Sequence, residues 1–519
     1  MMANVEIKDL YVGKPDAKDE VTFGSIDNFV STYVIPPYFD IDELLYGDKC
    51  FITGFKGTGK TALLLYLDYV IQSKYSYACT SFVFFKDDFP ETKKREMNNM
   101  SLSISSCVSF DDTKTVDAAD FDYIWRWILF KRLVSDNEEY SDNLFINDDN
   151  WINFKRLVDS IKEPLNRKKH IIPSEIKLGG RISGNGSYTE ASPEISVSLE
   201  KEGDNYSEFV KIIDQAERYL IKVKRTDTPY YVLVDELEAY YGDEVLFKRD
   251  LRFIRDLIFA VKRLNEVFAC DGTTKIICSV RSEILNAISR FVISKEMNKV
   301  INGFEMPLIW NYSNTNSYQH PIIQILLKRI AMAEDVESDN YKDLFYKWFP
   351  ENINGIEPAN YILNNSWNKP RDIVRLISSA RSSIKSSNSY FSQDVFDSLK
   401  KKYSEDSLDE IREELRALYE SNEIELIITC FTGYKTRFSF AQLKIRISEL
   451  YPNSVLEEKL PNILQDLYRL GFLGNYLPSA KTYRWQHKGD NSIILNDEWR
   501  IMVHYALHSA LSLNRRQDY

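Results

Sequence analysis

The chain has 519 residues, 44% of them hydrophobic and 28% charged, which describes an ordinary globular protein of two or three domains. A formal net charge of −11 argues against a general nucleic-acid coat, although a local basic patch would survive it. No run approaches the roughly 18 apolar residues of a membrane span, and the N-terminus lacks the basic-then-apolar layout of a signal peptide. Cys50, Cys79, Cys107, Cys270, Cys278 and Cys430 show neither metal-ligand spacing nor a disulfide framework. Reduced thiols in a cytoplasmic protein without a membrane partner are therefore expected.

Residues 1–30 read as a leader, its first 20 residues polar and loose. Val34-Ile35-Pro36-Pro37-Tyr38-Phe39 follows, about ten residues ahead of the first strand. Tyr38 or Phe39 would stack on the adenine of a nucleotide held by the glycine loop that follows. The competing reading is a core aromatic beside a kinked turn.

Lys49–Thr53 reads as a short buried strand and Ala62–Leu67 as the start of a helix. Between them, Gly54-Phe55-Lys56-Gly57-Thr58-Gly59-Lys60-Thr61 fits the phosphate-binding pattern G-x-x-x-x-G-K-[ST]. Such a loop needs glycines because its backbone folds tightly around an anion and aims successive N–H groups at it. Lys60 would bring a point charge to the β- and γ-phosphates, and the Thr61 hydroxyl would ligate Mg²⁺. The strand-loop-helix order puts a helix N-terminus under the phosphates.

Thr80–Lys86 reads as a second buried strand. Phe121–Leu133 is apolar nearly all round, as expected of a helix packed on a sheet. Ile176–Leu178 and Ile195–Leu199 alternate at period two around Gly179, Gly180, Gly184 and Gly186. They predict a β-hairpin with a long loop, a protruding arm within an insertion over about 140–205.

Tyr230-Tyr231-Val232-Leu233-Val234-Asp235-Glu236 is a continuous apolar strand ending in two acids, the Walker B pattern. Its C-terminal end would lie where ligands bind in open α/β sheets. Asp235 would hold Mg²⁺ through water and Glu236 would polarise an attacking water. A helix over about 244–267 carries Arg249, Arg252 and Arg255 on a polar face. Lys275–Val280 forms another strand and ends in Arg281, placed to sense the γ-phosphate. Arg290 closes the next short helix, the position of a finger offered to a neighbouring subunit. A surface salt bridge is the competing reading for both arginines.

Residues 300–400 turn helical, with Pro321–Ile330 amphipathic. Asn368-Lys369-Pro370-Arg371-Asp372 opens a helix with proline in its first turn, where the missing N–H costs nothing. In a helical lid, Arg371 would be a second sensor and Pro370 a base contact. Ser386–Ser389 and Ser404–Ser407 mark the boundary to a last domain. From Leu408 the pattern runs through three helices and a hairpin, a winged-helix outline. Its would-be recognition helix sets Glu457, Glu458 and Asp466 against Lys459 and Arg469, which weakens the counterion-release drive for DNA. His504 and His508 lie four apart on the last helix without a third ligand for zinc.

The loop, Asp235-Glu236, Arg281 and Asn368–Asp372, in that order, make the chain resemble the AAA+/STAND division of P-loop ATPases. More narrowly it is similar to bacterial P-loop ATPases sharing the Gly54–Ala62 loop and a Lys-Pro-Arg-Asp lid motif. The resemblance covers most of the chain, least over 100–225. It implies an α/β fold: a P-loop NTPase parallel sheet over 31–310 with an inserted β-hairpin, a helical lid over 311–400, and a winged-helix-like domain over 405–519. It also implies bound ATP and Mg²⁺, with Ala62 and Pro370 among the nucleotide contacts, and nucleotide-dependent assembly as a homo-oligomer or with a partner effector protein. The first functional expectation is an ATP-hydrolysing switch acting within anti-phage defence. The second is a DNA-associated ATPase in replication, repair or mobile-element function, and the third a nucleotide-stabilised scaffold with negligible turnover.

Overall fold

The computed structural model describes residues 5–106, 121–161, 176–177, 180–184, 187–191, 194–195, 204–240, 243–269, 272–292, 297–312, 317–336, 341–383, 390–416 and 418–514. Cys107, Cys270, Leu178, Gly179, Gly186, residues 196–199 and residues 386–389 lie outside them. The chain divides into two units, one of Phe39–Lys56 and Lys60–Leu308, the other of Met1–Tyr38, Gly57–Gly59 and Ile309–Tyr519.

The first unit is built on a sheet. Its strands, in chain order, are β1 (Phe51–Gly54), β2 (Cys79–Phe84), β3 (Ile176–Lys177), β4 (Gly180–Gly184), β5 (Ser187–Ala191), β6 (Glu194–Ile195), β7 (Tyr230–Asp235), β8 (Thr274–Arg281) and β9 (Glu305–Pro307). Seven form one sheet in the order β5-β4-β2-β7-β8-β1-β9. The five from β2 to β9 run parallel, an arrangement compatible with a Rossmann-like or P-loop core. Every residue of β1 and β7 is buried, which is why these strands read as unbroken apolar runs. The helix Asp122–Glu139 buries Trp125, Trp127 and Phe130 together with Arg126, Arg132 and Asp136.

The expected hairpin differs in its interior. Ile176 pairs with Ile195 and Lys177 with Glu194, antiparallel. Instead of an arm with a glycine loop, β4 and β5 form an inner hairpin, and β4 continues the main sheet by pairing antiparallel with β2. An open edge at β2 would leave backbone N–H and C=O groups unpaired, and the inner hairpin satisfies them.

Arg249, Arg252 and Arg255 do not form a polar face. They are buried on the helix Glu244–Phe268. Arg249 makes paired 2.8 Å bonds to Glu91 and a 2.7 Å contact with Asp250, while Arg255 pairs with Asp256 at 2.7 Å. Carboxylates supplied by sequence neighbours and by the helix Glu91–Ser106 make this burial tolerable.

The second unit is mainly helical. Its N-terminal segment is not a loose leader: Ile7, Leu10 and Val12 are buried in the same cluster as Trp310, Ile323 and Ile330. Buried Glu20 accepts from the Tyr11 hydroxyl, the Lys14 N–H and Arg329. The helix Pro321–Glu334 is enclosed rather than amphipathic, with Ile322, Ile323, Ile325, Leu326 and Leu327 all buried. Ser404 and Ser407 are no boundary either. Both are buried inside the continuous helix Gln393–Leu415, where the Ser404 hydroxyl accepts from the Ala510 N–H at 2.8 Å.

Helices Ser421–Phe431, Phe440–Leu450 and Val455–Arg469 accompany an antiparallel sheet whose first strand lies between the first two of them. A reciprocal Ser439–Gln442 capping box starts the second of these helices. The sheet comprises β10 (Arg437–Phe438), β11 (Leu473–Leu477), β12 (Thr482–Arg484) and β13 (Arg500–Val503), ordered β10-β13-β11-β12. Asp466 is buried, accepts from the Tyr419 hydroxyl at 2.7 Å, and so adds nothing to an acidic surface. His504 and His508 flank a short 3-10 turn, Tyr505–Leu507, instead of sharing a regular helix. His504 stacks on Trp367 at 3.9 Å, and a ring nitrogen of His508 lies 3.0 Å from the Val503 carbonyl.

Candidate functional site

In the first unit the carboxyl ends of β1, β7 and β8 converge. Gly54 is in register with Arg281, and Val234 with Cys278. This is the edge of an open parallel sheet where ligands bind, because loops diverge there and backbone N–H groups point outward. The helix Lys60–Lys74 starts directly after the glycine loop, so its N-terminal dipole faces the same edge. Gly57 and Gly59 have φ of 83° and 90°, the left-handed conformations that require glycine in the loop.

Lys60 is buried, and its Nζ donates to the Gly54 carbonyl at 2.8 Å and the Phe55 carbonyl at 3.0 Å. The lysine thus closes the loop on itself. Lys56 donates its backbone N–H to Glu283 at 2.8 Å, a carboxylate on one of the loop's own donors. Glu283 comes from the helix Ser282–Phe291 that follows β8.

Asp235 is 2% exposed and accepts from the Ser279 hydroxyl through Oδ1, while its Oδ2 is buried and accepts no hydrogen bond among the described residues. A carboxylate kept in this state is costly for a merely structural residue. It fits the chemistry of a cation ligand, and with Thr61 at the start of the helix would hold Mg²⁺. Glu236 lies one residue past β7 with φ of 60°. Glutamate rarely adopts that region, and such strain clusters at functional sites.

Arg281 is paired with Glu238, and Lys86 approaches the same carboxylate at 4.0 Å. Arg290 is exposed at the end of its helix, its guanidinium 5.2 Å from the Phe291 ring. Phe39 is buried, which suits its core reading, whereas Tyr38 is 93% exposed with φ of 64°.

Gly57–Gly59 belong with the second unit. There the Gly57 carbonyl accepts from the Arg371 N–H at 3.3 Å and the Thr58 carbonyl from the Trp310 indole at 2.8 Å. Pro370 begins the helix Pro370–Ser383 as expected, and a Cβ on Gly59 would meet its Cγ at 3.8 Å. The Arg371 guanidinium donates to the Pro15 carbonyl at 3.2 Å. Asp372 is buried, which raises its carboxyl to about 6, and pairs with Arg375 at 3.3 Å.

Ser279, Glu238 and Glu283 were missed by motif reading. Ser279 stands two residues before Arg281 on β8, on the same strand face, a relation visible from period-two alternation. Glu238 and Glu283 carry no local signal, since their partners come from distant strands or loops.

Residues 321–412 match the family described as the FunZ-associated C-terminal helical domain. The chain is also similar, at 21% identity over 492 residues, to a protein of Escherichia coli (strain K12) whose name assigns it to the transposon gamma-delta as an 80.3 kDa protein. The match spans 90% of this chain and 63% of that protein.

Proposed function

We propose that the chain binds and hydrolyses ATP with Mg²⁺ and works as a nucleotide-driven switch. The observation that carries this reading is the buried Asp235 carboxylate, with one oxygen unsatisfied, at the sheet edge where a left-handed glycine loop ends in Lys60. Lys60 would exchange its loop carbonyls for phosphate oxygens, and Thr61 and Asp235 would hold the cation. A bound Mg²⁺ would neutralise charge on the phosphates. Glu236 would orient water, and Arg281 would leave Glu238 to meet the γ-phosphate. Contacts made only with the triphosphate would supply the differential affinity that a switch requires.

Phosphate release and particle mass, measured with ATP·Mg²⁺, with ADP and without nucleotide, test this. Glu236→Gln should lower turnover by about a hundredfold or more while retaining nucleotide. Lys60→Ala should abolish both turnover and any ATP-dependent assembly. Unchanged hydrolysis in Glu236→Gln would refute its role as base.

A second reading, a DNA-associated ATPase of a mobile element, is supported by the transposon-named relative. Asp466 is internal, leaving Glu457 and Glu458 against Lys459 and Arg469 on the exposed part of the would-be recognition helix. Salt-sensitive binding of duplex DNA would favour it. No binding at low salt would exclude it.

A further inference from the structure

Glycine gives the phosphate-binding loop its left-handed turns and also leaves it loose, because glycine takes positive and negative φ about equally readily. The middle of the loop, Gly57–Gly59, belongs to the second unit, and two donors of that unit fall on consecutive carbonyls there. The Arg371 N–H meets the Gly57 carbonyl at 3.3 Å, and the Trp310 indole meets the Thr58 carbonyl at 2.8 Å. Trp310 is 5% exposed and shares a buried cluster with Ile323 and Ile330, so its ring is held independently of the loop.

A trans peptide points its C=O and the next N–H in opposite directions. Holding the Gly57 and Thr58 carbonyls on Arg371 and Trp310 therefore turns the N–H groups of Thr58 and Gly59 away from those residues. Gly57 and Gly59 are left-handed and Thr58 is not, an alternation that gathers successive N–H groups into an anion-binding concavity. The Arg371 bond uses only backbone, whereas the Trp310 bond depends on a side chain. Buried indoles commonly find a carbonyl, and Trp125 does so at 2.9 Å with Phe253, inside the helix Glu244–Phe268. Trp310 differs in the peptide it holds, one whose N–H belongs to the glycine loop.

We infer that Trp310 is a positioning residue of the phosphate-binding loop: its indole fixes the Thr58–Gly59 peptide so that the Gly59 N–H faces the phosphate before a nucleotide arrives. The inference rests on the nucleotide reading given above. Donors set in advance cost no reorganisation on binding. Without the indole the peptide samples both orientations, and binding must first select one.

The test is titration calorimetry with ADP·Mg²⁺ on the wild type, Trp310→Phe and Trp125→Phe, with steady-state ATP hydrolysis alongside. Trp310→Phe weakens ADP about tenfold and raises KM for ATP by the same factor at unchanged kcat. Trp125→Phe loses an equivalent bond and leaves both unchanged. Partial unfolding gives the opposite split, a lower kcat at unchanged KM. Where Trp310→Phe melts below the assay temperature, replacing the Trp310 indole by benzothiophene removes only the N–H at nearly constant shape, and the same tenfold loss is expected. ADP binding as tight as wild type in the Trp310 variants, or weakened equally in Trp125→Phe, overturns the inference and leaves the nucleotide reading standing. No ADP binding by the wild type overturns both.

Discussion

Asp235→Asn separates a carboxylate kept for a cation from one kept for the fold. In the folded protein Asp235 is 2% exposed, with Oδ1 held by Ser279 and Oδ2 buried without a partner among the described residues. An unsatisfied buried acceptor costs roughly 1–3 kcal/mol, and more when it is charged. Asparagine retains the Ser279 bond and removes the charge. Without nucleotide, the variant should therefore be stabilised by roughly 1–2 kcal/mol, a rise of about 2–8 °C in the melting temperature of the sheet unit. With ATP·Mg²⁺ the order should reverse, because only the wild type gains the stabilisation that ligand binding confers. Differential scanning calorimetry with and without ATP·Mg²⁺, on both proteins, reads both effects. A variant less stable than wild type without nucleotide, yet equally stabilised by ATP·Mg²⁺, would refute the assignment of Asp235 as a cation ligand.

Two further outcomes are expected. Glu238→Gln frees Arg281 from a partly exposed ion pair worth roughly 1 kcal/mol, so ATP should bind about fivefold more tightly by fluorescence titration; weaker or unchanged binding would mean that Arg281 does not move to the nucleotide. Asp88 is buried, accepts the Phe84 N–H at 2.8 Å, and has its carboxyl raised to about 7 by burial. Between the ordinary carboxyl value of about 4 and 7, the folded state keeps a proton that the unfolded chain has released, so stability falls as pH rises through that window and levels off above it. Asp88→Asn should accordingly stabilise more at pH 8 than at pH 5 in urea denaturation, and an equal effect at both would refute the retained proton.

Local pattern alone carried the strands, the glycine loop and the order of the acidic and basic motifs. A strand buried on both faces reads as a run of apolar residues, as Tyr230–Val234 does, and a tight anion-cradling turn must place glycine at Gly57 and Gly59. These constraints act within a few residues, so they are written in consecutive letters. Partners across the fold are not. Arg249 looks like part of a solvated stripe until Glu91, 158 positions earlier, is seen to neutralise it. Ile7 and Leu10 look like a leader until the fold sets them in one buried cluster with Ile323, Ile330, Ile373 and Ile377. The partners of Arg281 and Lys56, Glu238 and Glu283, likewise became evident only once the sheet had brought separate strands together. Side-chain periodicity reports whether a residue can be buried. Only the tertiary structure decides what it is buried against, because that depends on segments hundreds of positions away.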